Sequence, residues 1–159
     1  MKSMVLVAGL IAVPAVVSHQ QERIGEKTQA ADPRLLRLQQ FFEKRECPLR
    51  EMAADFLAAA DLNALDWRLL PSISFIESSG GKDYRNNNVF GWDTPLQNFS
   101  SIREGIQYVA AQLSQADRYK NKSLDRKLRT YNPNPAYPHK VKAVMRALGP
   151  SETRSDTLD

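Results

Sequence analysis

Glu77 occupies the position in this chain that points most directly to chemistry. It shares one face of a predicted helix with Leu69, Leu70, Ile73 and Ile76, at the three-and-four spacing of an apolar stripe. A carboxyl group on such a stripe loses water and faces the negative end of the helix dipole, and both effects favour its protonated form. An acid that keeps its proton near neutral pH can donate it.

The residues after Glu77 predict the end of this helix. Ser78 and Ser79 are followed by Gly80 and Gly81, and either glycine can adopt the left-handed conformation that ends a helix. The candidate acid therefore sits at a helix end, where a cleft can open. The alternative is a solvated surface glutamate, which is the commoner situation near a helix C-terminus.

The segment from 82 to 100 changes character. Its mixture of turn-forming and apolar residues predicts a loop with a short, irregular β-hairpin, a wing beside the candidate acid. The turn-forming members are Asn86, Asn87, Asn88, Gly91, Asp93 and Pro95, and the apolar members are Val89, Phe90, Trp92 and Phe99.

The rest of the chain reads as helices around that loop. The predicted helices begin at Asp32–Pro33, Pro48, near Asp66, Ser101 and Ser123, and a last one runs to Gly149–Pro150. Pro71 complicates the first turn of the helix that carries Glu77, so its start can lie a few residues after Asp66. Ser101 and Glu104 form the pattern of a capping box. The fold class predicted is mostly α, with one irregular wing.

The N-terminus predicts export. Lys2 precedes an uncharged, mainly apolar run from Met4 to Val17, which is too short to span a bilayer as a stable helix. We interpret residues 1–18 as a signal peptide cut near Ser18, with an uncleaved membrane anchor as the alternative. Either way the folded part lies in the periplasm, the cell envelope or the extracellular space.

The remaining organisation follows from length and patterning. Residues 19–47 are expected to form a tether and a lead-in helix, residues 48–149 the folded domain, and residues 150–159 a disordered tail. The formal net charge of +4 falls to +3 without the signal segment, because Lys2 is its only charged residue. This mild basicity suits an anionic envelope polymer and gives no reason to expect nucleic acid. We expect a monomer.

Cysteine and histidine content argues against several kinds of site. Cys47 is the only cysteine, so no internal disulfide can form. A cysteine nucleophile needs a histidine partner, and only His19 and His139 exist. With so few potential ligands we expect no zinc site and no cofactor.

Two motifs give the chain a family resemblance. The segment Phe75–Lys82 reads Phe-Ile-Glu-Ser-Ser-Gly-Gly-Lys, and the segment Asn87–Trp92 reads Asn-Asn-Val-Phe-Gly-Trp. Together they resemble the lysozyme-like superfamily, and most closely its bacterial glucosaminidase and lytic transglycosylase branches, which cut peptidoglycan. Tyr131–Asn132 resembles the later Tyr-Asn motif of those families. The resemblance covers roughly residues 50–148 and implies an α+β lysozyme-like domain.

The resemblance implies a role for each matching residue. Glu77 would be the general acid that protonates the β-1,4 glycosidic oxygen between N-acetylglucosamine and N-acetylmuramic acid. Ser78 would bond the carboxyl group or an N-acetyl group, although a helix-end serine bonded to backbone is an equal alternative. Substrate contacts would come from the aromatic faces of Phe90, Trp92 and Tyr131 and from the amides of Asn88 and Asn132.

A second carboxylate is harder to identify. Asp83 and Asp93 are the nearest candidates in the wing, and each can equally be a solvated loop acid. If neither reaches the cleft, the N-acetyl group of the substrate can assist instead, which suits a lytic transglycosylase. The sequence Asn-Val-Phe-Gly-Trp replaces the Gly-Leu-Met-Gln stretch usual in soluble transglycosylases, and favours the glucosaminidase-like branch.

Two competing hypotheses remain at this point. The chain can be a non-catalytic wall-binding or envelope-assembly module that keeps the fold and its groove, because no second carboxylate is obvious. It can also be an unrelated helical envelope protein in which the motif is accidental.

Overall fold

The computed structural model describes residues 32–93 and 97–151. In these residues the elements are α1 (Pro33–Glu43), a 3-10 helix (Pro48–Met52), α2 (Ala53–Leu62), α3 (Leu69–Ser78), α4 (Ile102–Gln115), α5 (Leu124–Tyr131) and α6 (Tyr137–Leu148). The mostly helical fold class is confirmed. The predicted signal peptide at 1–18, the tether before the first helix and most of the tail lie outside the described residues.

Helix α3 is the central helix. Apolar Leu69, Leu70 and Ile73 are buried, and so are Ser72 and Ser74 on its other sides. The helix packs most extensively against α6 and also against α2. A helix covered on nearly every side is held by the whole core, so the residues at its end are placed rigidly.

The start of α3 explains how it accommodates a proline. The helix begins at Leu69, whose N–H donates to Asp66 O at 2.9 Å. Pro71 therefore falls in the first turn, where the backbone N–H groups have no partner within the helix. The later of the two starts allowed by the sequence is the one observed.

The end of α3 needs three consecutive residues with positive φ. Ser79 caps the helix in the left-handed conformation with φ 53°, and Gly80 and Gly81 follow at 70° and 87°. A Cβ on Gly80 would lie 2.5 Å from Cys47 Sγ, and one on Gly81 would lie 2.8 Å from Leu49 Cγ. The glycines thus let the chain turn directly against the start of the 3-10 helix.

Helix α1 is part of the packed unit. Its Leu38, Phe41 and Phe42 are buried in the core. At its N-terminus the Arg34 guanidinium lies 2.7 Å from carboxylate oxygens of both Asp32 and Asp61, which joins α1 to the end of α2. The lead-in helix expected before residue 48 therefore packs against the domain that the sequence predicts from residue 48 onward.

The loop between α3 and α4 replaces the expected hairpin. Neither residues 82–93 nor residues 97–100 contain a β-strand. Asn86 and Asn87 both have φ of 56°, which breaks an extended strand. The loop is closed instead by Phe99 N–H donating to Asn86 O at 3.0 Å and by Asn87 Nδ2 donating to Phe99 O at 2.8 Å. Buried Val89 and Phe90 anchor it in the core.

The start of α4 follows the predicted capping pattern with one change. Ser101 Oγ accepts the Glu104 N–H at 3.1 Å, as a capping box requires. The Glu104 carboxylate reaches Ser100 N at 2.6 Å, one residue before the cap.

Within the described ranges, every helix is too short or too polar to cross a membrane.

The contact between Gly81 and Leu49 gives a test of how tightly the end of α3 is packed. Gly81→Ala should destabilise the protein by about 1–3 kcal/mol, because the new methyl group meets Leu49 Cγ. In a Leu49→Ala background the part of this destabilisation that comes from the contact with Leu49 disappears, while the strain of the positive φ remains. We expect the destabilisation to fall by roughly 1 kcal/mol there, measured by denaturant unfolding of all four proteins. Equal losses in both backgrounds would contradict the close contact.

Candidate active site

The carboxyl group of Glu77 is half-buried at the last turn of α3. Burial raises its pKa above the ordinary value, and the nearby Tyr137 hydroxyl partly opposes this rise. Oε1 is buried, and neither it nor the Tyr137 hydroxyl has a hydrogen-bond partner of good geometry in the protein. The site therefore contains a buried carboxyl oxygen and a buried hydroxyl, each without a complete hydrogen bond in the protein.

The other carboxyl oxygen of Glu77 faces the loop. A Cβ built on Gly91 would lie 3.1 Å from Oε2, and Gly91 has φ of 56°. With only hydrogen at this position, the loop backbone can approach the carboxyl group closely. Gly91 itself is exposed, whereas Oε1 is shut off from solvent. Oε2 is therefore the oxygen better placed to meet a ligand.

Two tyrosines border Glu77 on the side of α5 and α6. Tyr131 ends α5 and Tyr137 begins α6, and their rings stack with centroids 5.9 Å apart and planes 5° from parallel. The Tyr131 hydroxyl donates to Phe90 O, which ties α5 to the loop. Burial, and to a smaller extent the charge of Glu77, raises the pKa of both hydroxyls. Both tyrosines therefore stay protonated at any physiological pH.

Trp92 connects these tyrosines to the protein surface. Its ring centroid lies 5.5 Å from that of Tyr131 and 5.8 Å from that of Tyr119. Tyr108, which is 40% exposed, packs edge-on against the same indole. The Arg118 guanidinium lies 5.1 Å from the centroid of the Trp92 ring. We call Trp92, Tyr108, Tyr119, Tyr131 and Tyr137 the aromatic wall.

Ser78 and Asn88 are engaged with the backbone. Ser78 Oγ donates to Ser74 O at 2.8 Å and accepts the Gly81 N–H at 3.1 Å. Asn88 Oδ1 accepts the Trp92 N–H at 2.9 Å, while its Nδ2 donates to Trp92 O at 3.1 Å. These side chains fix the end of α3 and the curve of the loop. For Ser78 this is the backbone-bonded alternative that the sequence left open.

Phe90 and Asn132 have different surroundings. Phe90 is fully buried and packs edge-on against Phe56 in the core. Its ring therefore anchors the loop in the core. Asn132 is half-buried directly after α5, and its Oδ1 accepts the Asn134 N–H at 3.0 Å, so its Nδ2 is the atom left for a ligand.

Asp83 and Asp93 are both exposed. The Asp83 backbone N–H donates to Ser78 O at 3.1 Å, which places this residue just beyond the end of α3. Asp93 lies near Tyr119. The pKa of the Tyr119 hydroxyl is raised, mainly by burial and to a smaller extent by the charge of Asp93.

The sequence did not identify Tyr137, Tyr108, Tyr119 or Arg118 as site residues. Tyr137 had one usable signal, since it opens the last helix a few positions after Tyr131–Asn132. Among the described residues, no group of three or more His, Cys, Asp or Glu side chains could hold a metal ion.

Comparison with known proteins gives no family. No protein-family model matches the chain, and no curated protein matches it in sequence. Any function must therefore be argued from the residues and their arrangement.

The raised pKa of Glu77 predicts a pH-dependent difference in stability. A carboxyl group whose pKa is higher in the folded state stabilises the fold at low pH and loses that contribution as pH rises through the folded-state pKa. Glu77→Gln mimics the protonated form at every pH. Thermal unfolding should therefore show the variant gaining stability relative to the wild type between pH 4 and pH 8. A constant difference across this range would mean that Glu77 titrates as an ordinary surface acid.

Proposed function

We propose that this protein is a peptidoglycan-cleaving glycosidase with a lysozyme-like fold, acting on the β-1,4 linkage between N-acetylglucosamine and N-acetylmuramic acid. One observation carries the proposal. Glu77, at the end of the central helix, has a buried Oε1 and a raised pKa, as a general acid for glycosidic cleavage requires. The choice of polymer is supported by the resemblance of the Glu-Ser-Ser-Gly-Gly and Asn-Asn-Val-Phe-Gly-Trp motifs to those of peptidoglycan-cutting families.

The first chemical step is proton transfer from Glu77 to the glycosidic oxygen. Oε2 carries the proton, since it lies on the side of the exposed Gly91. As the bond between the anomeric carbon and this oxygen breaks, the electron pair leaves with the oxygen and Glu77 becomes a carboxylate. The Tyr137 hydroxyl favours this charged form, because its effect on the pKa of Glu77 is to lower it.

The second step uses Glu77 as a base. The carboxylate takes a proton either from water, which gives a reducing end, or from a hydroxyl of the sugar itself, which gives an anhydro product. Asp83 and Asp93 are both exposed. We assign stabilisation of the oxocarbenium-like centre to the N-acetyl carbonyl of the substrate, with one of these aspartates as the alternative.

The substrate-binding side of the site consists of Tyr108 and Asn132, because Trp92, Tyr119 and Tyr137 of the aromatic wall are buried and support Tyr108 from behind. Tyr108 offers a ring that is 40% exposed, on which a sugar ring can stack. Trp92 and Tyr131 supply edges behind it, and Asn132 Nδ2 can donate to a hydroxyl or amide oxygen.

The protein acts outside the cytoplasm as a monomer, released by signal cleavage or tethered through its N-terminus.

One observation favours a second function. Because the two candidate second carboxylates, Asp83 and Asp93, are both exposed, the same site can hold a glycan strand without cutting it, as a non-catalytic wall-binding or assembly module does. This alternative and the glycosidase differ in their products.

Cleavage assays with purified peptidoglycan test the proposal. Glu77→Gln should lower the rate of fragment release by roughly 100-fold or more, since it removes the proton donor. Asp83→Asn and Asp93→Asn are matched controls in which a loop carboxyl group is replaced. Mass spectrometry of the fragments separates reducing from anhydro ends.

The outcomes separate the alternatives. Equal release by the wild type and Glu77→Gln would refute the role of Glu77. Binding to peptidoglycan with no release by the wild type at any pH would establish the non-catalytic module. A large loss in one aspartate variant would identify the second carboxylate.

A further inference from the structure

Tyr137 has a buried hydroxyl group that the fold leaves unpaired. Within the part of the chain that the structure describes, this hydroxyl group makes no hydrogen bond of good geometry. Burial raises its pKa above the ordinary value of 10.0, so the group stays a neutral O–H that can donate. Leaving a buried donor unpaired costs stability, so the position of this hydroxyl group points to a role at the site.

The backbone holds Tyr137 in place at the start of α6. Its N–H donates to Asn134 O at 2.9 Å, and Asn134 Oδ1 accepts the Ala136 N–H at 2.9 Å. Pro138, the next residue, fixes its own φ in the first turn of the helix. The Tyr137 ring stacks on that of Tyr131 with the two planes 5° from parallel. The ring is therefore held at both its backbone and its face.

The Tyr137 hydroxyl group lies close to Glu77. The two residues belong to α3 and α6, which pack extensively against each other. The hydroxyl and carboxyl groups are close enough for each to affect the pKa of the other. Oε1 of Glu77 is also buried without a partner among the described residues. A small rotation of either side chain can complete a hydrogen bond between them, and catalytic hydrogen bonds often tighten only when the substrate is bound.

Tyr131 also responds to the charge of Glu77, but its hydroxyl group is already engaged. That hydroxyl group donates to Phe90 O and holds the loop. Tyr119 lies near both stacked tyrosines and affects their pKa values. Of the two stacked tyrosines, Tyr137 is therefore the one whose hydroxyl group is left for Glu77.

We propose that Tyr137 is a positioning residue, which donates its hydroxyl hydrogen to Oε1 of Glu77 and so leaves the carboxyl proton on Oε2. The inference rests on the proposed function, in which Glu77 is the acid. An oxygen that accepts a hydrogen bond is the less favourable place for the proton, so the proton stays on the oxygen beside Gly91. When the proton leaves, the same hydrogen bond stabilises the carboxylate. Tyr137 thus selects the oxygen that protonates the glycosidic bond.

Carbon-13 NMR titration of the Glu77 carboxyl group in Tyr137→Phe tests this without any cleavage. The variant keeps the stacked ring and loses only the hydroxyl group. The pKa of Glu77 should be higher in the variant than in the wild type, because the carboxylate has lost a donor. A purely structural role predicts the opposite direction, since a loosened site admits water and lowers this pKa toward its ordinary value. Tyr119→Phe, which alters another buried tyrosine, is the control and should leave the pKa of Glu77 unchanged.

Infrared spectroscopy and kinetics test the two parts of the role. The C=O band of the protonated carboxyl group, identified by its loss in Glu77→Gln, should move to higher frequency in Tyr137→Phe, because Oε1 loses its donor. On soluble peptidoglycan fragments, kcat of this variant should fall about tenfold while KM changes little. An unchanged band, an unchanged kcat, or a pKa of Glu77 that stays the same or falls would overturn the proposal.

The outcomes keep the role of Tyr137 apart from the proposed function. A higher pKa of Glu77 and a shifted band in Tyr137→Phe, with no cleavage by the wild type, would support the hydrogen bond and refute the glycosidase. Cleavage by the wild type, with neither change in the variant, would leave the glycosidase and refute the role of Tyr137.

Discussion

Burial of one carboxyl group is the constraint on which the site depends. Oε1 of Glu77 is shut off from water, Oε2 lies against Gly91, and the Tyr137 hydroxyl is close to the carboxyl group. Desolvation disfavours the carboxylate, so the fold tolerates Glu77 most easily in its protonated form. The molecule gives up stability at neutral pH to hold an acid there, a common property of functional sites.

The rest of the structure keeps that carboxyl group in place. Helix α3 is covered on nearly every side, so its last turn cannot shift without disturbing the core. The turn at Ser79–Gly81 packs against Cys47 and Leu49, and Asn88 holds the loop that brings Gly91 to the carboxyl group. The contacts that position the carboxyl group are thus backbone contacts and hydrogen bonds of buried polar groups.

Local spacing predicted much of this arrangement. The apolar stripe located Glu77 on the core-facing side of its helix. Proline positions located the starts of α1 and the 3-10 helix, and glycine positions located the ends of α3 and α6. Spacing could not show that Tyr137 reaches Glu77, because that contact joins two helices far apart in the sequence. Spacing also could not predict that Tyr131 is half-buried and Phe90 fully buried, since the exposure of each ring depends on which residues of other elements pack against it. The expected hairpin failed for a local reason, the positive φ of consecutive asparagines.

The central claim is that Glu77 holds a proton for catalysis, and carbon-13 NMR titration of its carboxyl group tests this directly. The account predicts that Glu77 titrates clearly above the ordinary pKa of 4.5. It also predicts that kcat/KM on peptidoglycan fragments falls with rising pH around the same value, since only the protonated acid can donate. A Glu77 carboxyl group that titrates at its ordinary pKa, or a rate that falls at an unrelated pH, would contradict the account.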